Sequence, residues 1–177
     1  MVKMEVSDYN KHATLSFFRP ELLYDIKNLA FVESDVMPAD DEHDRHQVAD
    51  ICEDGNVDRV TRVMDLAVAK CREMLYPYSK REVDDGEERD NTLREQGEYT
   101  IELLLPASFS KSTLDYLHKM LHEYIVYCVL FDWMSIANLR NSQSALNWHA
   151  KKQDLEERIG RTLTARIRKV RRRLSPW

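Results

Sequence analysis

Apolar residues along most of this chain recur every three or four positions, which is the spacing of amphipathic helices. The segment RPELLYDIKNLAFVES (19–34) forms one such apolar face, and Pro20 suits the first turn of a helix. A short helix is predicted around Arg45 to Cys52, and a strongly periodic one in NVDRVTRVMDLAVAKCREMLY (56–76). The first part of the chain is therefore predicted to be helical after a polar start.

Two longer helices are predicted in the C-terminal part. The first begins at Ser110 or Ser112 and carries the most apolar run of the chain, YIVYCVLFDWMSI (124–136). That run is about 13 residues, whereas a membrane span needs about 20, so we expect a buried core helix. A short NLRNSQS connection leads to the second helix, from about Ser144 to Arg172. Two long helices joined by a short turn form an αα-hairpin.

One segment alternates as a β-strand does. In YTIELLLP (99–106) apolar and polar residues alternate, so a half-buried strand is predicted. Its partner is left open: residues 80–84 or another subunit could supply it. The preceding SKREVDDGEERDNTLREQGE (79–98) is charged and lacks a core pattern, so it is predicted to be an exposed loop.

The predicted fold class is mainly α: a helical bundle with a long C-terminal αα-hairpin and one short β-strand or hairpin. The length of 177 residues fits a single domain. Its predicted parts are an acidic helical part (1–79), a charged loop and strand (80–105), the hairpin (108–173) and a tail (174–177). Glycine and proline are scarce, with 4 and 5 residues, which disfavours a fold built from many tight turns.

Charge is distributed unevenly along the chain. Residues 1–102 carry 25 acidic and 13 basic side chains, whereas residues 103–177 carry 6 acidic and 13 basic ones. Such a chain can dock one half on the other or associate head-to-tail with further copies. The overall charge of −5 argues against a dedicated nucleic-acid-binding protein, which is usually basic.

Candidate chemistry is sparse. Cys52, Cys71 and Cys128 are widely spaced, and we interpret them as small apolar residues in a reducing compartment. His118 and His122 lie one helical turn apart, a spacing that can hold a metal, but HKMLH lacks the glutamate of the HExxH motif. Phosphate-binding and nucleophile motifs are absent as well. We therefore expect no catalytic residue, no cofactor site and no metal site, and two structural histidines.

The C-terminal RTLTARIRKVRRRLSPW (161–177) is the most distinctive stretch. On a helix, Ile159, Leu163, Ile167, Val170 and Leu174 form an apolar seam with bases on both sides. Such a seam packs on protein, so the stretch is predicted to be a docking tail, with the terminal tryptophan as an anchor. The predicted partner-binding residues are Arg161, Arg166, Arg168, Lys169, Arg171, Arg172, Arg173 and Trp177.

The run LLLPASFSKSTLDYLHKMLHEYIVYCVLFDWM followed by KVRRRLSPW resembles small structural proteins of tailed phages and prophages. The likeness covers roughly residues 99–177 and lies mainly in HEYIV…LFDW and the arginine-rich ending before Pro-Trp. It implies a non-enzymatic virion subunit of the neck, adaptor or connector type, made in the bacterial host cytoplasm. The implied partners are copies of itself in a ring and a portal or tail-completion protein, with non-specific DNA contact in the channel and no membrane.

Two other functions remain open from the residues. A nucleic-acid-binding accessory protein or regulator would place the bases of residues 161–173 on phosphates. An enzyme is the other alternative, and His118 and His122 are the residues it could use.

Overall fold

The computed structural model describes residues 2–6, 10–37, 42–76, 78–79, 97–106, 109–137 and 142–165. The strands are β1 (Val2–Val6), β2 (Asn10–Phe18) and β3 (Glu98–Pro106). The helices are α1 (Arg19–Val36), α2 (Glu42–Ala49), α3 (Val57–Met74), α4 (Lys111–Ala137) and α5 (Ser142–Ala165), with a 3₁₀ turn at Asp50–Cys52 after α2. The mainly α class and the C-terminal hairpin of α4 and α5 are confirmed.

The strands form one antiparallel sheet in the order β1-β2-β3. In the central strand, Leu15 faces Val2 on one side and Ile101 on the other. One face of the sheet is buried against the helices: Ala13, Leu15, Phe17, Tyr99, Ile101, Leu103 and Leu105. The helices and this face of the sheet share one hydrophobic core.

The start of the chain corrects the sequence analysis. Residues that we described as a polar start, within a part predicted to be helical, form β1 and β2, so the sheet is larger than the predicted strand or hairpin. The predicted strand at 99–106 is confirmed, but it pairs with β2 of its own chain. Residues 80–84, the suggested mate, lie outside the described residues. Only three apolar residues in β2 point inward, which makes its alternation weak in the sequence.

The edge of β3 away from β2 is contacted from the end of α3. The backbone N–H of Leu104 donates to the carbonyl of Tyr78 at 2.8 Å, and the Arg72 guanidinium donates to the carbonyl of Thr100 at 3.2 Å. These contacts occupy polar backbone groups that an edge strand would otherwise offer to another chain.

The central helix of the bundle is α4, which α1, α3 and α5 surround. Arg59 of α3 makes a two-pronged ion pair with Asp132 at 2.9 and 3.2 Å, and the Trp133 indole donates to the carbonyl of Val48 at 3.2 Å. The predicted core run of α4 is largely buried. Among the described residues, none of the helices is long and apolar enough to cross a membrane.

Helix α5 runs antiparallel to α4. Near its start, the Trp148 ring lies 5.4 Å from the Tyr127 ring, and near its end the Tyr78 hydroxyl donates to the carbonyl of Leu163 at 3.4 Å. The last described turn of α5 therefore lies at the end of the bundle where α4 begins.

Candidate functional site

The predicted docking tail is described only at its root. Arg161 is exposed and its guanidinium lies 2.7 Å from the Glu157 carboxylate. Arg158 makes the same kind of pair with Asp154 at 2.8 Å. The remaining predicted partner-binding residues lie outside the described residues: Arg166, Arg168, Lys169, Arg171, Arg172, Arg173 and Trp177.

The apolar seam is confirmed as far as the structure describes it. Ile159 and Leu163 are buried, and Leu155 is half-buried against the core. Arg161 projects on the opposite side of the helix, toward solvent. The root of the tail thus has the expected arrangement, in which the apolar residues face the core and Arg161 faces solvent.

The two histidines of α4 contact different elements of the fold. The Nε2–H of His118 donates to the carbonyl of Ser16 at 2.9 Å, and its ring stacks on Phe17 with centroids 4.7 Å apart. Burial lowers the pKa of His118 below its ordinary value. The Nε2 of His122 lies 2.8 Å from the carboxylate of Asp25. Both Nε2 atoms are therefore engaged by protein groups on β2 and α1.

Within the described part of the chain, no group of three or more His, Cys, Asp or Glu side chains is arranged to hold a metal ion. Two further histidines, His43 and His46, contact Gln47 and Glu42 on the surface of α2.

The cysteines are free thiols in the core or at its margin. Burial raises the pKa of Cys71 and Cys52, and raises the pKa of Cys128 to about 11. A raised pKa leaves little thiolate at neutral pH, so the nucleophilic form of each thiol is disfavoured.

A shallow pocket of about 350 Å³ opens where α1 begins beside α4. Pro20 and Tyr24 form its apolar wall, and Glu21, Asp25 and His122 contribute polar groups. The pocket combines the aromatic ring of Tyr24 with the carboxylates of Glu21 and Asp25. The Asp25 carboxylate also contacts His122. This composition suits an aromatic or cationic side chain.

The outward side of α1 continues from this pocket as an apolar surface. Tyr24, Phe31, Val32 and Val36 are 71%, 62%, 52% and 80% exposed. We call these four residues the α1 stripe. Lys27, Asn28 and Asp35 are also exposed on this side of the helix, so the surface is mixed, with several large apolar side chains in solvent. Such apolar surface with polar neighbours is typical of interaction surfaces.

Sequence reasoning missed the α1 stripe because it followed only the stripe that faces the core. The signal was present: the 19–34 segment is apolar on more than one face, and a soluble helix of that kind has a second partner. The pocket forms because α4 packs against α1, and the local sequence pattern of each helix does not predict which helices pack together.

Comparison with known proteins adds no relative. The chain matches no protein-family model, and no match was found among the curated proteins or the solved structures.

Proposed function

We propose that this chain is a non-enzymatic structural subunit of a tailed-phage particle, part of the neck that joins head and tail, and that it acts through protein–protein contacts. The observation that carries the protein-binding role is the α1 stripe, which leaves large apolar side chains in solvent on a helix whose opposite face is buried. Burying such side chains against a partner contributes roughly 25 cal/mol per Å² of apolar surface.

Charge supports the same role. The exposed residues of α1 include Glu21 and Asp35, whereas the C-terminal residues beyond Arg158 contain bases and no acid. Surfaces of opposite sign on one chain favour ordered association over random contact.

The phage context comes from the resemblance of residues 99–177. Within its HEYIV…LFDW segment, Tyr124, Ile125 and Trp133 are buried and His122 contacts α1. These residues lie in the core, so the likeness concerns the framework of the fold.

The test uses particles. An epitope-tagged copy is expressed in the native phage background, lysates are treated with nuclease, and particles are banded on a density gradient. Recovery with intact particles at several copies each is expected. Recovery only in the soluble fractions would contradict the virion role.

A nucleic-acid-binding accessory protein is the second candidate, favoured by the basic run of residues 166–173. Two bases nearest this run, Arg158 and Arg161, are each paired with a carboxylate, which lowers their availability for phosphates. Replacing Arg171, Arg172 and Arg173 by glutamate separates the two functions. A regulator would lose salt-sensitive DNA binding, whereas a virion subunit would stay folded and fail to join its particle.

A further inference from the structure

The outer face of α1, which includes the α1 stripe, and residues 166–177 are complementary in charge and similar in length. We propose that the outer face of α1 receives residues 166–177 of a second copy of this chain, with Trp177 in the pocket at Pro20 and Tyr24. This inference deepens the proposed assembly function, on which it rests, by naming the two surfaces that meet.

Charge complementarity is the first argument. The exposed residues of α1 carry two acids, Glu21 and Asp35, and one base, Lys27. Half-buried Asp25 adds a carboxylate at the pocket. The tail segment 166–177 contains five arginines and one lysine with no acidic side chain. An acidic surface that also exposes apolar side chains fits a basic segment that also carries an apolar seam.

Length is the second argument. From Tyr24 to Val36 the α1 stripe extends about 18 Å along the helix. Residues 166–174 would cover about 13 Å as a helix, and the three residues Ser175-Pro176-Trp177, which end a helix, add up to about 10 Å when extended. If the tail runs antiparallel to α1, its first residues lie at Val36 and its last at Tyr24. Trp177 then reaches the pocket, where Tyr24 and Pro20 offer an apolar wall and Glu21 a carboxylate for a neighbouring arginine.

The position of the tail root favours a second copy over the same chain. Leu163 lies beside Tyr78, at the end of the bundle where α4 begins. The far end of the α1 stripe lies instead near the start of α5, because Glu33 of α1 contacts Ser144 and Trp148. Trp148 and Leu163 are fifteen residues apart, about 22 Å along α5, whereas the three residues from 163 to 166 span at most about 11 Å. A segment that begins at residue 166 therefore reaches Val36 of a neighbour stacked on that end and does not reach Val36 of its own chain.

The test is photo-cross-linking in the full chain. A benzoylphenylalanine replaces Phe31, and the matched control replaces Leu66 of α3, which is 71% exposed against 62% for Phe31. Copies with the photo-cross-linker are mixed with ¹⁵N-labelled copies without it, at concentrations where light scattering detects association. Mass spectrometry of the irradiated mixture distinguishes bonds within one chain from bonds between two.

We expect cross-links from position 31 to residues 166–177 of the labelled copy, and at least tenfold fewer from position 66. Replacing Arg171, Arg172 and Arg173 by glutamate in the labelled copy should remove them, and Glu21→Lys with Asp35→Lys in the receiving copy should restore them. Trp177→Ala should weaken the cross-link at least tenfold without changing the circular dichroism of either copy.

Three results would overturn the inference: cross-links to the tail of the same chain only, cross-links to another region, or none above the Leu66 control. A positive particle fractionation together with any of these would leave the proposed function standing and reject only this pair of surfaces. Cross-linking as expected without particle association would reject the virion role and retain the self-association. Val36, 80% exposed, is a second probe position if the change at Phe31 alters the fold.

Discussion

Glu33 of α1 accepts a hydrogen bond from the indole Nε1–H of Trp148 in α5 at 2.6 Å. The other oxygen of the same carboxylate accepts the hydroxyl of Ser144. Trp148 and Ser144 are both buried, so one side chain satisfies two donors that have no access to water. This contact joins the first helix to the start of the last one.

Glu33→Ala should therefore destabilise the fold by about 2–3 kcal/mol, because it leaves two buried donors without an acceptor. Urea denaturation followed by circular dichroism measures the change. Glu157→Ala is the matched control, since it removes an exposed ion pair to Arg161 and should cost under about 1 kcal/mol. Equal losses for the two variants would show that the Glu33 contact is not formed.

Leu15→Ala tests the strand that the sequence analysis missed. Leu15 is fully buried at the centre of the sheet, so the substitution should cost about 2–5 kcal/mol of unfolding free energy. His12→Ala, on the exposed side of the same strand, should stay within about 0.5 kcal/mol. If the start of the chain were an unpacked tail, both variants would unfold at the wild-type urea concentration.

His118→Phe tests the buried histidine through pH dependence. Burial lowers the pKa of His118 in the folded state below its ordinary value of 6.5, so below that pH the unfolded chain binds a proton that the folded protein resists. The free energy of unfolding of the wild type therefore decreases as the pH falls from about 7 through 6.5. The decrease stops once the pH is below the pKa of His118 in the folded state. The phenylalanine variant keeps an aromatic ring beside Phe17 but has no titrating group there, so its free energy of unfolding does not decrease for this reason.

Denaturation curves between pH 5 and 8 give the comparison. The stability difference between wild type and His118→Phe should change across that window in favour of the variant at low pH. A constant difference, however large, would mean that the pKa of His118 is the same in the folded and unfolded states.

Gly160 lies inside α5, on its exposed side, and no atom lies within 4 Å of where a Cβ would be. Gly160→Ala should stabilise the protein by about 0.5–1 kcal/mol, because alanine loses less backbone entropy on forming a helix. Ala150→Gly, at an exposed position of the same helix, should cost a similar amount. A destabilising Gly160→Ala would show that a neighbour needs the space, and thermal unfolding distinguishes the outcomes.

The helices were predictable because apolar residues recur along each of them at helical spacing. In α3 the buried residues Val60, Met64, Ala67 and Cys71 recur at three- and four-residue steps, and the same holds for the core face of α4. The β3 strand was also predictable, since its burial alternates at every residue. Such periods are local properties, and the chain carries them before it folds.

The elements that these helices and strands pack against were harder to predict from the sequence. The β2 strand shows only Ala13, Leu15 and Phe17 as its inward residues, and its pairing with β3 joins segments about 90 residues apart. His118 and His122 looked alike in the sequence, but one contacts a strand carbonyl and the other a helix carboxylate. The identity of each contact depends on which element packs against which face of α4.

The amino-acid sequence by itself determined the helices, the strand at 99–106, the uneven charge and the apolar seam as far as Leu163. Those features follow from residue type and spacing along a short stretch of chain. The tertiary structure decided which strand β3 pairs with, which groups the two histidines bind, and that Tyr24, Phe31, Val32 and Val36 remain exposed. The physical reason is that a side chain becomes buried, paired or exposed only through neighbours that distant segments bring to it.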